Sequence, residues 1–344
     1  MNKGDLKLAF TYVGALVGAG FATGQELVRF FVNFETDGLK GVVLAGIGFA
    51  LLGAGVIILA NKETIEDYNS LLITLFPPKL CWLIDKFIAL VLWAGLGIML
   101  SGSATVINEN FALPVWLGFF LTAFLIFVSL MWGSQGLLNV NTFLVPLLVI
   151  LALGSSLLYL KQPLPCSGEN LIKNVLPNWW MAGSLYVVYN MVLGMVVLTS
   201  IEEKKSPLAG AVGGLLLGVM AYLMVKGMLL LPENYKTAEM PMMLLTGSVH
   251  PLLGKFYAFG LWVAIFTTAI ANAHSLTIRL SNKFRLTYHQ LLFIILVTAF
   301  CFLPWKFSLL VGIIYPLTGY LGFPLILAII FQIIKSTGLK HKLL

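Results

Sequence analysis

Charged residues are scarce in this sequence. Lysine, arginine, aspartate and glutamate make up 10% of the 344 residues, whereas soluble proteins average roughly a quarter. Hydrophobic residues make up 59% of the chain, and the mean hydropathy is +0.96. This composition excludes a fused soluble kinase, protease or nucleic-acid-binding domain of ordinary size. It predicts an all-α integral membrane protein.

Cysteine and the usual catalytic motifs are also scarce or missing. The three cysteines, Cys81, Cys166 and Cys301, have no CxxC spacing, which argues against a disulfide framework or a metal cluster. His274 has no second histidine, cysteine or carboxylate at ligand spacing. There is no HExxH motif and no serine, histidine and aspartate set in a suitable context. We therefore expect that the protein is not an enzyme and uses no organic cofactor.

The net charge of +7 is spread through short loops. It does not form the single basic face that would indicate a nucleic-acid partner. Placing the N-terminus inside puts thirteen of the 21 lysines and arginines on the inner side and seven on the outer side. Because positive charge accumulates on the cytoplasmic side, we expect both termini in the cytoplasm.

Ten apolar stretches are long enough to be membrane spans, since a spanning helix needs ~20 mainly apolar residues. The first stretch lacks a small-residue cleavage pattern, so it is interpreted as a helix and not as a removed signal peptide. The connecting stretches 61–79, 161–177 and 232–251 are predicted to form short interfacial helices or lids. The ten spans are predicted at 6–33, 38–60, 80–108, 114–132, 137–160, 178–201, 206–231, 252–280, 287–303 and 308–335.

The order of the spans predicts an inverted repeat. Five spans lie in 1–160, an outer loop covers 161–177, and five spans lie in 178–344, which ends in a cytoplasmic tail. Because five is odd, the two halves have opposite orientations. The first span of each half is interrupted by glycines or polar residues, which in transporters marks broken helices and a site at the membrane midplane. The sequence therefore predicts that helices 1 and 6 are broken.

The residues at these interruptions suit a bound ion and a bound carboxylate. A broken helix exposes carbonyl oxygens before the break and amides after it, and these bind cations and anions respectively. The alternative is that the glycines only allow close helix packing, as small-xxx-small patterns do. The glycines of the seventh span have no polar neighbours, and there packing is predicted. The residues concerned are Gly14, Gly18, Gly20 and Gly24 in span one, Tyr189, Asn190 and Gly194 in span six, and Gly210, Gly214 and Gly218 in span seven.

The eighth span carries a polar stripe. Ala264, Thr268, Asn272 and Ser275 follow helical spacing, and Thr267 borders the same face. Hydroxyl and carbonyl oxygens without net charge suit an alkali cation better than a transition metal. The alternative is that the threonine hydroxyls bond to carbonyls of their own helix.

These motifs resemble the LeuT fold of the amino acid–polyamine–organocation (APC) superfamily. The chain is most similar to its YkvI-type bacterial membrane proteins, which share the Gly-Ala-Gly-Phe-Ala-(Thr/Ser)-Gly-Gln-Glu run at 18–26. Residues 14–20 and 264–268 are similar to the two runs that form the second sodium site of the sodium symporters. The resemblance implies a Na+ site of Gly14, Val17, Ala264, Thr267 and Thr268, and a bacterial cytoplasmic membrane location.

The sequence also departs from the symporter pattern. The asparagine that serves the first sodium ion is Ala15 here, so we expect one coupling ion. The outer-gate arginine of the pattern aligns with Gly24, so gating must differ. An acid inside a membrane span is a functional candidate, and Glu26 could bind a substrate ammonium or relay a proton. Alternatively, Glu26 forms an ion pair with Arg29 on one helix face.

The expected function is secondary active transport by alternating access. We expect sodium-coupled symport of a small amino acid or related zwitterion, whose partners are the solute and the lipid bilayer. Proton coupling through Glu26 is one alternative. A ligand-sensing receptor subunit is another, because the superfamily resemblance includes spore-germination receptor components.

The candidate site residues fall into two groups. The expected substrate-binding residues are Gly18, Ala19, Gly20, Phe21, Trp93, Tyr189, Asn190 and Gly194. The coupling or gating candidates are Gln25, Glu26 and Asn272.

Overall fold

The structure is a computed structural model and is almost entirely helical where it is described. It describes residues 3–63, 68–132, 135–160, 176–199, 206–231, 238–281 and 283–336. Two short 3-10 helices, Val32–Phe34 and Phe300–Phe302, accompany the α-helices. The α-helices are α1 Lys3–Leu16, α2 Ala19–Thr23, α3 Gln25–Phe30, α4 Glu35–Glu63, α5 Tyr68–Leu75, α6 Pro78–Phe111, α7 Val115–Trp132, α8 Gln135–Tyr159, α9 Trp179–Thr199, α10 Pro207–Leu229, α11 Pro241–Val249, α12 Pro251–Ser281, α13 Tyr288–Ala299 and α14 Phe307–Ser336.

Helices occupy all ten stretches predicted from hydropathy. The first stretch contains α1, α2 and α3, and the other nine correspond to α4, α6 to α10 and α12 to α14. The short helices α5 and α11 lie in two of the connecting stretches, as predicted, whereas residues 161–175 of the third lie outside the described residues. In the described ranges, five helical stretches are long and apolar enough to cross a membrane: Gln25–Lys62, Pro78–Phe111, Pro207–Leu229, Pro251–Ser281 and Phe307–Lys335.

The outer surface of the bundle is covered by large apolar side chains. Leu51, Phe111, Phe256 and Phe259 are each about seven-tenths exposed. Soluble proteins rarely expose wide apolar patches, so this surface suits contact with lipid chains. The buried core lies between the helices and includes the aromatic residues Tyr12, Tyr186 and Tyr257.

Glycines bring α4 and α10 into close contact. A Cβ on Gly218 would lie 2.7 Å from the Cα of Gly46, and a Cβ on Gly210 would overlap the backbone of Gly53. A Cβ on Gly214 would overlap the backbone of α4 in the same way. These contacts confirm the prediction that the glycines of the seventh span serve helix packing.

Helix α9 corrects the prediction of a break in the sixth span, because it is continuous over its whole length. The Asn190 amide donates to the carbonyl of Tyr186, 3.0 Å away, within the same helix. A Cβ on Gly194 would lie 3.1 Å from both Leu16 and Tyr12, so this glycine makes room for α1. Both residues therefore have roles that need no unwound backbone.

Candidate solute and ion site

The first predicted span is broken at two glycines, as the sequence predicts. Helix α1 ends at Leu16, and Gly18 is extended, with φ −85° and ψ −174°. Helix α2 is five residues long and ends at Thr23, and the next residue, Gly24, has a φ of +79°, in the left-handed region that favours glycine. The chain thus enters and leaves a short buried helix through two backbone positions that interrupt the helical hydrogen bonding.

The space around these glycines differs on the two sides of the break. A Cβ on Gly14 or Gly18 would meet no atom within 4 Å. A Cβ on Gly20 would overlap the Glu26 carboxyl group, and one on Gly24 would lie 2.6 Å from Met242. Packing therefore explains Gly20 and Gly24, whereas the packing interpretation of Gly14 and Gly18 is wrong. Open space lies beside the break on the α1 side.

Helix α2 packs against α12, so the first and eighth spans meet at the break. The Tyr257 hydroxyl of α12 donates to the carbonyl of Ala22, 2.5 Å away. Ala19 and Phe21, two of the predicted substrate-binding residues, are buried there. This contact holds the short helix against α12.

The threonines of α12 bond to their own helix, which is the alternative interpretation of the stripe. Thr267 Oγ1 donates to the carbonyls of Val263 and Ala264 at 3.0 and 3.1 Å, and Thr268 Oγ1 donates to Ala264 at 2.8 Å. A hydroxyl that donates a hydrogen bond keeps its acceptor lone pairs, so the oxygens can still face a cation. On the α1 side of the break, the predicted sodium ligand Val17 is buried.

Of the remaining stripe residues, Asn272 faces another helix and Ser275 is exposed. A Cβ on Gly95 of α6 would lie 2.9 Å from the Asn272 amide, so Asn272 lies at the contact between α6 and α12. His274 Nδ1 lies 2.8 Å from the Tyr288 hydroxyl and shares a hydrogen bond with it. The coupling role of Asn272 stays a prediction.

Glu26 is bonded to α9 and not to its own helix. Its Oε2 accepts a hydrogen bond from the Tyr189 hydroxyl, and only 6% of its surface is exposed. The Tyr189 ring stacks on Phe30 and on Tyr315, with ring centroids 5.5 and 5.0 Å apart. Among the described residues Glu26 and Arg29 form no ion pair, so the ion-pair alternative is wrong. Glu26 and Tyr189, which we predicted separately, form one buried pair.

A segment before α11 forms hydrogen bonds to both α3 and the start of α14. The Gln25 amide donates to the carbonyl of Ala238, 3.0 Å away. The Glu239 carboxylate accepts hydrogen bonds from the Ser308 amide and hydroxyl at 2.7 and 2.8 Å, and it interacts electrostatically with Arg29. This segment therefore connects α3 to the start of α14. Sequence reasoning missed Glu239, although it is one of only 14 acidic residues in the chain.

Two acids connect helices near the opposite end. Asp85 forms ion pairs with Arg279 and Lys283, which joins the start of α6 to the end of α12. Asp5 accepts a hydrogen bond from the Ser206 amide, 3.0 Å away, at the start of α10. These contacts fix the helix ends on the side where the sequence predicts the cytoplasm.

The structure does not place Trp93 with the other predicted substrate-binding residues. Its Nε1 donates to Thr298 Oγ1 at 3.1 Å, and its ring lies on Phe302 with centroids 4.8 Å apart. Trp93 therefore faces α13 and the 3-10 helix that follows it. The position of Trp93 on α6 determines this contact. The hydropathy pattern does not indicate which neighbouring helix each side chain of α6 faces.

A separate cavity of about 600 Å³ lies between α6, α7 and α12. Its lining is mainly apolar and includes Phe111, Phe259 and Trp262. Because Phe111 and Phe259 also form part of the exposed apolar surface, this cavity faces the lipid side and not the helix break.

Solved structures of transporters share this fold. A mutant of a manganese transporter from Eremococcus coleocola matches with a TM-score of 0.59 and 15% identity, over 94% of this chain and 78% of that one. Mhp1, a nucleobase-cation-symport-1 family transporter in a closed conformation with bromovinylhydantoin bound, matches with a TM-score of 0.57 and 15% identity, over 90% of this chain and 74% of that one. The chain thus has the LeuT fold of these proteins.

Two proteins of Bacillus subtilis (strain 168) are similar in sequence over nearly their whole length. The uncharacterized membrane protein YkvI is 29% identical over 342 residues, which is 96% of each chain. The uncharacterized protein YyaD is 24% identical over 341 residues, or 97% of this chain and 98% of its own. No family model matches the chain. The resemblance to YkvI-type membrane proteins is confirmed.

Proposed function

We propose that this protein is a secondary active transporter of the bacterial cytoplasmic membrane that moves a small amino acid or related zwitterion by alternating access. The observation that carries the proposal is the break at Gly18, where a buried short helix meets open space on its α1 side. An unpaired backbone group in the bilayer costs several kcal/mol, so a ligand that pairs with these groups is strongly favoured.

The proposed membrane organisation is ten spans in a five-plus-five inverted repeat with both termini in the cytoplasm. It is supported by the helices in all ten predicted stretches and by the likeness to LeuT-fold transporters. The continuous α9 means that the two halves differ in detail, since only the first half starts with a broken helix in the described part of the chain.

In this proposal the substrate and the ion occupy opposite sides of the break. Amides near Gly18 to Phe21 bind the substrate carboxylate, and carbonyls of Gly14, Val17 and Ala264 bind Na+. The hydroxyls of the two threonines complete the sodium site, which is supported by their position on the helix that contacts α2. Sodium couples to transport only if it binds the inward and outward states with different affinity.

The structural neighbours support transport as the activity. One neighbour is a manganese transporter and the other a nucleobase-cation-symport-1 family transporter. Because these two families differ in cargo, the shared fold does not specify the cargo of this protein. We propose a zwitterion because the free amides can bind a carboxylate and the proposed cation site lies nearby.

The sodium site is tested by thermal unfolding of the purified protein in sodium chloride and in choline chloride at equal ionic strength. A ligand that binds only the folded state at a hundredfold excess over Kd stabilises it by ~2.7 kcal/mol. We expect a sodium-specific rise in the midpoint of unfolding that Thr268→Ala abolishes. Ser275→Ala changes an exposed residue of the same helix and should keep the rise. An equal midpoint in both salts would show that sodium is not the coupling ion.

A further inference from the structure

We propose that the pair of Glu26 and Tyr189 is a proton-binding site, and that solute movement is coupled to a proton carried by the Glu26 carboxyl group. The inference rests on the proposed transport function but not on the sodium site. It follows from the burial of Glu26, from the groups around it and from its contact with the helix break.

Among the residues that the structure describes, Glu26 is a buried acid without a cation beside it. It lies on α3, inside the first predicted span, and its Oε2 is bonded to one neutral hydroxyl, that of Tyr189. A buried carboxylate without a cationic partner is much less favourable than the neutral acid. Arg29, on the same short helix, instead interacts electrostatically with Glu239. Glu26 therefore holds a proton in this arrangement.

The described residues of the neighbouring helices supply no positive charge to Glu26. The ionisable groups that face it from α9 are Tyr186 and Tyr189, and from α14 Tyr315. All three are neutral phenols packed ring against ring. In the described residues, no lysine or arginine forms a hydrogen bond or an ion pair with Glu26. Because no cation in the described part of the chain neutralises this carboxyl group, a bound proton does so.

The Glu26 carboxyl group also contacts the helix break. Its Oε1 occupies the position that a side chain on Gly20 would need. A deprotonated carboxylate requires water, so it favours an arrangement in which α3 moves away from its neighbours and water reaches Glu26. Because the protonated and deprotonated forms favour different arrangements, proton binding shifts the equilibrium between them. On one side the carboxylate takes a proton from water, and on the other side it returns the proton to water.

The test compares two activities in proteoliposomes with equal sodium chloride inside and outside, so that the proposed sodium site is filled and no sodium gradient drives accumulation. The probe is an equimolar mixture of the twenty isotopically labelled protein amino acids. Exchange of labelled for unlabelled solute, at equal pH inside and outside, needs no net proton movement. Accumulation against a solute gradient, driven by an acidic exterior, does need it. We expect the wild type to show both activities.

We expect Glu26→Gln to keep exchange and to lose accumulation by at least about tenfold, which corresponds to ~1.4 kcal/mol. Glu26→Asp keeps a titratable group and should retain part of the accumulation. Glu35→Gln changes an exposed glutamate at the start of α4 and should behave as the wild type.

The outcomes separate this inference from the transport proposal. Exchange without acid-driven accumulation in the wild type, or full accumulation in Glu26→Gln, would overturn the proton site and leave the transporter intact. If Glu26→Gln does not fold, wild-type accumulation that ignores the pH gradient would still overturn the proton site. A wild type that exchanges none of the twenty probes would overturn the amino acid proposal and the inference with it.

Discussion

Replacing Gly20 with alanine is expected to remove most of the transport activity while the protein stays folded. The new Cβ would overlap Glu26 Oε1. Neither side can yield freely, because Tyr257 holds α2 at Ala22 and Tyr189 holds the carboxyl group. Overpacking of this kind costs about 1–3 kcal/mol. The cheapest relief is to move the carboxyl group away from Tyr189.

The measurement is acid-driven accumulation of the labelled amino acid mixture, together with thermal unfolding. We expect accumulation to fall roughly tenfold, as a cost of about 1.4 kcal/mol on the transport step would produce. Gly154→Ala is the matched control, since a Cβ on this exposed glycine of α8 meets nothing within 4 Å. Adding Glu26→Ala to Gly20→Ala should restore the lost thermal stability, because the effects of two residues in contact are not additive. Wild-type accumulation in Gly20→Ala would contradict the contact between α2 and Glu26.

Replacing Gly214 with valine is expected to prevent stable folding. A Cβ at this position would overlap the backbone at Phe49 and Ala50, and a backbone cannot turn aside as a side chain can. Helices α4 and α10 would have to separate along the face that also holds Gly210 against Gly53. We expect a loss of about 3 kcal/mol or more in the free energy of unfolding.

The effect of Gly214→Val is measured by the yield of monodisperse protein and by its unfolding midpoint. Gly154→Val introduces the same side chain at an open position, so its midpoint should stay close to that of the wild type. A Gly214→Val protein as stable as this control would show that the two helices do not need their close contact.

Much of the fold could be predicted from the sequence because the bilayer imposes a simple rule. Helices must satisfy their own backbone groups in lipid, so long apolar stretches identify the spans. The break at Gly18 and the turn at Gly24 were also predictable, since glycine clusters next to polar residues interrupt helices. The break in α9 was predicted wrongly. The Asn190 amide donates a hydrogen bond to a carbonyl of its own helix, and the residue type alone does not indicate this.

The site was predictable only in part, because its contacts join residues far apart in the chain. Glu26 could be singled out as an acid in a span, and Tyr189 as a polar residue of another span. Their pairing across 163 positions, and the contact of Gln25 with Ala238, depend on how the helices pack. Trp93 shows the same limit. Its helix was predicted correctly, but the direction in which its side chain points was not.

Exchange in sealed proteoliposomes tests whether this protein moves a small zwitterionic solute across the membrane. This test needs no assumption about the coupling ion. Vesicles loaded with the twenty unlabelled amino acids are placed in their labelled counterparts at equal pH, with protein-free vesicles as the control. We expect protein-dependent entry of one amino acid or a related group of them, well above the control. Entry equal to that of protein-free vesicles for all twenty would show that this protein does not transport amino acids.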